Sequence, residues 1–474
     1  MTVEQQKKFK YWQWRTILGT MIGYIFFYLV RKNFSFALPG LTAEYGITKT
    51  ALGSILTIAG LVYGVSKLFN GILADRTDGR WHMVTGLAVC TACSLLFAFG
   101  PAIAGWFPFE FTATLIVVFS ALWIINNAFQ GCGFPPCSRL LAHWVPSNEL
   151  STKQSIWNTS HSIGAFIAAA LCGILIMGHM GTDVSGDASK VAEIAGNLGL
   201  DTDAPRVIAA AQHYGAWKLT FLIPGIIAAF GVIFVIWCLR DTPKSVGLPE
   251  LEGSGAGDTK KVSEDQNSAE YKEFVKKHVF KNPVIWMLAI ADFFVYIIRF
   301  AVLDWGPTFL QEARGLSAQM SGWTIVIFEL FGCFGMLLAG WLSDKLFAGK
   351  AHRTCLFCML GATIFIVTFC LLPESTDPFS LLIILACAGF FIYGPQALLG
   401  VIASNQATRK AASTANGVVG FVSYISVAIS GVGFGWISDN FGWKWVFVTM
   451  IVMAIIGFCS LLPLWNLKRD AYED

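Results

Sequence analysis

A chain of 474 residues that is 55% hydrophobic and only 13% charged has too little polar surface to coat a soluble globule. Its formal net charge of +3 is small, and the basic residues cluster by loop and not along one face, which argues against a nucleic-acid partner. The class left standing is a polytopic protein whose solvent is the lipid bilayer.

The N-terminus is basic, with Lys7, Lys8 and Lys10. The apolar run behind it is too long for a signal-peptide core and lacks a small-residue cleavage site, so it reads as a retained first span. Runs near the roughly 20 residues that cross a bilayer then recur at 16–38, 52–73, 82–104, 112–137, 153–178, 219–239, 283–303, 320–342, 354–372, 379–402, 412–437 and 445–465. Twelve α-helical spans are therefore predicted, six on either side of a polar stretch. That stretch contains "LEGSGAGDTKKVSEDQNSAEYKEF", whose Gly, Ser and charge cannot bury a core and which reads as a linker ending in a short surface helix. The expected organisation is a bundle over 1–240, a cytoplasmic linker over 241–282 and a second bundle over 283–474.

Lys and Arg set the orientation. With the N-terminus inside, 23 of them fall on the inner side and six outside, so both termini are predicted to be cytoplasmic. The long outside loop over 178–217 carries amphipathic stretches and reads as a surface ornament. Most of the twelve cysteines, such as Cys90, Cys172 and Cys370, lie within apolar runs, where a thiol serves as a small hydrophobe. Cys355 and Cys358 have CxxC spacing with no second pair or histidine to complete a zinc set, so no metal and no cofactor is expected.

The two halves echo one another. "YLVRKNFSFALP" in span 1 aligns with "YIIRFAVLDWGP" in span 7, setting Tyr28, Arg31 and Pro39 against Tyr296, Arg299 and Pro307 at one offset of 268. "GILADRTDGR" after span 2 and "GWLSDKLFAGK" after span 8 pair Gly71 with Gly340 and Asp75 with Asp344 at 269. Two echoes at nearly one offset indicate duplication, and parallel six-span repeats with a site at their interface are the architecture of a secondary transporter.

Arginine inside a span costs about 2.5 kcal/mol or more unless it meets a wet cavity or a partner. As continuous helix, Arg31 stands about 24 Å from Arg15 and about 20 Å from Glu44, and Arg299 about 27 Å from Lys281 and about 20 Å from Glu312, so both are deep. One reading sets Arg31 and Arg299 face to face around an anion, and two guanidinium forks suit phosphate better than a single carboxylate. The other pairs Arg299 with Asp292 or Asp304, and Arg31 with Glu329, as structural bridges. Lys67, with Tyr63 one turn before it, is either a third phosphate contact or a snorkelling cation. His161, three residues beyond Asn158, offers a hydrogen bond, a titrating proton, or ordinary core packing. Tyr24, Tyr28, Tyr296, Tyr393 and Tyr424 supply phenol donors or packing alone, and Glu329 could hold a salt bridge that an arriving anion breaks.

Gly71, Asp75, Arg76, Gly79 and Arg80 match the G-x-x-x-D-R-x-x-G-R loop of the major facilitator superfamily. There the aspartate is expected to cap a helix N-terminus and to pair with arginine at the cytoplasmic face, a structural role that Asp304 and Asp344 extend to the second half. The resemblance then covers nearly the whole chain. "GYIFFYLVRKNFSFALPGL", "FQGCGFPPCSRLLAHW", "WNTSHSIG", "RDTPKSVGLP", "VYIIRFAVLDWGPTFL" and "FFIYGPQALLGVIA" resemble the organophosphate:inorganic phosphate antiporters.

That resemblance implies a rocker-switch exchange, with the family's helix 1 and helix 7 arginines falling on Arg31 and Arg299. Its helix 2 lysine and helix 5 histidine fall on Lys67 and His161, and its helix 1 tyrosines on Tyr24 and Tyr28. The hexose-phosphate branch carries an Asp/Lys pair on helix 11, whereas "GVVGFVSYISVAIS" here holds no charge. The expectation is a non-enzymatic antiporter, acting as a monomer in a bacterial inner (plasma) membrane, that exchanges glucose 6-phosphate or another hexose phosphate for inorganic phosphate. Glycerol 3-phosphate exchange, or a transporter-like sensor of hexose phosphate, is the alternative.

Overall fold

The computed structural model describes residues 2–178, 181–249, 268–306, 309–310, 314, 318–373, 376–469 and 471. The Gly/Ser-rich part of the linker, Pro307 and the side chain of Asp304 lie outside the described residues. Helices follow the expected runs: α1 Val3–Leu29, α2 Asn33–Tyr45, α3 Lys49–Arg76, α4 Gly79–Ala98, α5 Phe111–Gln130, α6 Phe134–Trp144 and α7 Leu150–Met177. Two loop helices, α8 Ala188–Leu198 and α9 Pro205–Gln212, precede α10 Ala216–Cys238. After the linker come α11 Ala269–Val275, α12 Pro283–Phe300, α13 Ala318–Lys345, α14 Ala351–Leu371, α15 Pro378–Ala407, α16 Ala412–Phe441 and α17 Trp443–Leu461. Ten stretches among the described residues are each long and apolar enough to cross a membrane.

Helix ends are capped where the chain leaves the apolar layer. Thr48, Asp78, Glu110 and Asp377 accept backbone N–H groups at the starts of α3, α4, α5 and α15, satisfying donors that a helix cannot.

The first span differs from the continuous helix expected of it, because it breaks at residues 30–32 between α1 and α2. The carbonyls freed near the break are taken up by amides from α5: Gln130 donates to Phe27 at 3.1 Å and Asn126 to Val30 at 3.2 Å. A break deep in an apolar layer is tolerable when other protein groups re-satisfy the backbone. The second half echoes it, since α12 gives way after Arg299 and Phe300 to a π-turn over Ala301–Trp305. The fourth expected run, 112–137, likewise splits into α5 and α6, where Gly131, Gly133, Pro135 and Pro136 cannot sustain one helix.

Two surface segments are more firmly seated than loose chain. The short linker helix is an amphipathic surface element: Glu270, Lys272 and Glu273 are exposed, while Tyr271, Phe274, Val275 and Val279 recur on the other face and are buried in the main core, and the Tyr271 hydroxyl donates to the Lys410 carbonyl at 2.8 Å. The outside loop is a folded cap. Val184, Ile194, Ala195, Val207 and Ala211 form a small core on Ala43 of α2, and the Glu44 carboxylate accepts from the Gly215 N–H and from Trp217 Nε1.

The halves meet through α3 on α16 and α7 on α13, with α6 and α7 also touching α16 and α15. Gly53, Thr57, Gly60, Gly64, Lys67 and Gly71 share a face of α3, and that face measures the gap. A methyl at Gly71 would lie 2.6 Å from the Ser413 carbonyl oxygen and 2.8 Å from Gly417 Cα. At Gly64 it would lie 3.1 Å from Tyr424 Cβ, and at Gly60 and Gly53 it would meet nothing within 4 Å. The helices therefore touch at the end that carries both chain termini and part toward the opposite end.

Candidate functional site

Between the halves, about midway along the spans, lies a cavity of about 110 Å³. At roughly 10–15 Å³ per water position this holds on the order of ten waters, enough for a small solute. Arg31, Lys67, Asp292, Arg299 and the rings of Tyr24, Tyr28, Tyr63, Tyr296, Tyr393 and Tyr424 line it, together with Asn158 and His161. Every substrate-site residue read from the sequence except Glu329 is thus on one wall or another of the same cavity, and Glu329 stands directly behind Arg299.

Arg31 projects from the α1–α2 break. Its guanidinium donates to the Tyr63 hydroxyl at 3.2 Å and, across to the other half, to the Tyr424 hydroxyl at 3.1 Å. It also lies 4.1 Å from the centre of the Tyr63 ring, a favourable cation–π distance. Among the described residues no carboxylate pairs with it, so the expected alternative of an Arg31–Glu329 bridge is not what forms. Glu329 instead pairs with Arg299 at 3.1 Å, and Arg299 Nε donates to the Tyr393 hydroxyl at 3.0 Å. Asp292, the other suggested partner of Arg299, accepts from the Ser423 hydroxyl. The reason is geometric: Asp292 lies about 10 Å from Arg299 along their common helix, whereas Glu329 on α13 faces it.

Lys67 does not snorkel. It is buried, and its ammonium lies 5.3 Å from the Phe134 ring and 4.9 Å from the Tyr424 ring, inside the cavity. His161 is held by both ring nitrogens, Nδ1 to the Tyr28 hydroxyl and Nε2 to Asn158 Oδ1, each at 3.2 Å. Tyr24 packs edge-on against His161 with ring centres 4.9 Å apart, and Tyr296 sits 6.0 Å from Tyr424. Lys32, next to Arg31 in sequence, is exposed and off the cavity wall.

At the termini-bearing end the loop motif closes the cavity floor. The Asp75 carboxylate accepts from the backbone N–H of Ser413 at 3.0 Å and of Thr414 at 2.6 Å, capping α16 of the other half. Asp344 does the reciprocal thing, accepting from Thr152 N–H at 2.6 Å at the start of α7. A negative charge on a helix N-terminus is favourable, and here each cap crosses the interface between halves. Arg139 reaches the Asp75 carbonyl, not its carboxylate, and pairs with Asp241 at 3.0 Å. Gly79 N–H also donates to Asp241, at 2.8 Å, while Arg76 and Arg80 lie over the rings of Tyr271 and Trp81.

Sequence reasoning did not anticipate Asp292 and Gln396 as cavity groups, or the floor where Asn416 donates to Ser138 at 2.9 Å and to Ser404 at 2.7 Å. The available signal was polar residues inside apolar runs.

The sequence profile described as Major Facilitator Superfamily matches residues 20–431. The chain belongs to that superfamily. Within it, a probable hexose phosphate transport protein of Chlamydia pneumoniae is 32% identical over 471 residues, covering 97% of this chain and 93% of the relative. A glycerol-3-phosphate transporter of Bacillus subtilis is 34% identical over 459 residues, covering 96% and 93%. The membrane sensor protein UhpC of Escherichia coli is 31% identical over 472 residues, covering 98% and 94%. Among solved structures, the E. coli fucose:proton symporter superposes with a TM-score of 0.68 at 16% identity, over 94% of this chain and 96% of that one. The last likeness speaks to fold alone: two six-helix halves in the superfamily's arrangement.

Proposed function

We propose that this protein is a secondary active antiporter that exchanges a hexose phosphate, glucose 6-phosphate being the favoured member, for inorganic phosphate. The observation that carries the reading is Arg31 and Arg299, one from each half, opening into one cavity that Lys67 and the tyrosines also face. Phosphate offers mostly acceptor oxygens to such a wall, and guanidinium forks meet them bidentately. The likeness to hexose phosphate and glycerol-3-phosphate carriers over nearly the full length supports the substrate class. The described cavity lining comes from one chain, which supports a monomer as the transporting unit.

The excess of Lys and Arg in the segments at the termini-bearing end puts that end in the cytoplasm. The arrangement seen here, closed there and parted opposite, then faces outward. Exchange follows from charge. Bringing two unit positive charges to about 8 Å at an effective dielectric near 20 costs at most ~2 kcal/mol, less here because Glu329 offsets part of the Arg299 charge, and the empty cavity resists closing at its outer end by that remainder. An anion between Arg31 and Arg299 removes that repulsion, after which the halves 1–240 and 283–474 rock about it and the Asp75 and Asp344 caps release. The ester bond is left intact throughout.

Purified protein in vesicles loaded with inorganic phosphate is expected to take up labelled glucose 6-phosphate, and to stop when internal phosphate is omitted. Uptake that ignores internal phosphate and follows a pH gradient would sink the antiport. The likeness to a membrane sensor supports a second reading: ligand binding at the same arginines with no labelled solute crossing the vesicle.

A further inference from the structure

Phosphate recognition calls chiefly for donors, yet two acceptor atoms of cavity-lining residues, Asp292 Oδ1 and Gln396 Oε1, have no hydrogen-bond partner among the described residues. Asp292 is 6% exposed, its Oδ2 takes the Ser423 hydroxyl, and its Oδ1 is buried with no partner among the described residues. Gln396 Oε1, on α15, is buried and equally unpartnered. Groups left this way are costly to keep, which points to a ligand that completes them.

Their level in the fold says which part of a ligand. α12 runs outward from the termini-bearing end, so Asp292 lies two turns, about 10 Å, below Arg299. Gln396 lies a turn below Tyr393, and Lys67 a turn below Tyr63, on helices that run the other way. The cavity therefore has an upper tier of arginines and phenols and a lower tier of Lys67, Asp292 and Gln396. Among the described residues Lys67 Nζ makes no hydrogen bond; the ring centres of Tyr63, Phe134 and Tyr424 lie 5.9, 5.3 and 4.9 Å from it, and Gly420 packs against it. A tier that presents two acceptors and one ammonium donor matches a hydroxyl group, which donates and accepts at once.

We infer that Asp292, Gln396 and Lys67 form a hydroxyl-recognising subsite that selects polyhydroxylated phosphate esters over inorganic phosphate and over esters with fewer hydroxyls. This rests on the reading of Arg31 and Arg299 as the phosphate tier. A hydroxyl missing from the ligand leaves these buried groups unpaired, and it is such penalties that give polar sites their discrimination.

Calorimetric titration of the purified full chain with inorganic phosphate, glucose 6-phosphate, glycerol 3-phosphate and 3-phosphoglycerate tests this without requiring transport. Wild-type protein is expected to prefer glucose 6-phosphate over inorganic phosphate. Asp292→Ala is expected to shrink that ratio of dissociation constants at least about tenfold, and to let glycerol 3-phosphate and 3-phosphoglycerate, which carry fewer hydroxyls, gain on glucose 6-phosphate. Gln396→Leu reads the same ratio independently should Asp292→Ala fail to fold, and Arg31→Lys should weaken both ligands together. Ratios unmoved in the folded Asp292 and Gln396 variants overturn the subsite. Wild-type protein that binds neither inorganic phosphate nor any ester overturns the phosphate-ester reading, and the subsite with it.

Discussion

Arg31 and Arg299 stand at equivalent places in two related halves and are held in unlike ways. Arg299 is answered within its own half, by the Glu329 carboxylate and the Tyr393 hydroxyl. Among the described residues Arg31 is answered by neutral hydroxyl oxygens, and one of these, on Tyr424, belongs to the opposite half. Duplication has kept the position of the cation but not its partner. An anion arriving in the cavity gains the full charge of Arg31 at once, whereas at Arg299 it competes with a carboxylate already in place.

The contrast is broken or sharpened by substitution. Arg31→Lys removes a two-pronged contact with no carboxylate in reserve, and inorganic phosphate self-exchange in vesicles should fall roughly 10²–10³-fold. Arg299→Lys should cost about tenfold less, and equal losses would mean that the partner of each arginine does not matter. Next in size is the packed seam: Gly71→Val puts a side chain against the Ser413 carbonyl, and overpacking of about 1–3 kcal/mol should bias the protein away from closure at the termini-bearing end. Faster labelling there by a thiol reagent, with slower exchange, is the expected result. Gly340→Val should match it, since its first carbon would run into Ser155 Oγ and lie 2.8 Å from the Ser151 carbonyl oxygen.

Asp75→Ala and Asp344→Ala each remove a helix cap worth about 0.5–2 kcal/mol, so each should shift the same labelling about 2–30-fold and in the same direction. The smallest effect belongs to Glu329→Gln. The Arg299–Glu329 pair is partly exposed, with side chains 17% and 30% accessible, and such pairs are worth about 0–1 kcal/mol. Freeing Arg299 should tighten phosphate binding about 2–5-fold by titration, and weaker binding would show that Glu329 supports the site and does not compete within it.

The spans, the twin arginines and the cavity's aromatic lining were legible because they depend on local apolar length and on a repeat that fixes register. What the linear pattern concealed depends on distant partners. The break beside Arg31 requires Asn126 and Gln130, roughly a hundred residues away in the chain, to take up its carbonyls. Whether Glu329, Asp292 or Asp304 meets Arg299 turns on which helix faces it, and one-dimensional spacing favoured the two acids nearest in sequence. The linker helix was legible as a short surface element but its buried face was not, because that apolar face spans barely two turns beside a run of Lys and Glu.

The interruption of the first span has a mechanical side. Arg31 sits at the joint between two rods, and the outer rod, the 13-residue α2, is tethered at its far tip through Glu44 to Gly215 and Trp217. Any displacement of Arg31 would therefore pull on a lever whose other end holds the folded cap, which makes α2 the direct mechanical link between the centre of the bundle and its surface.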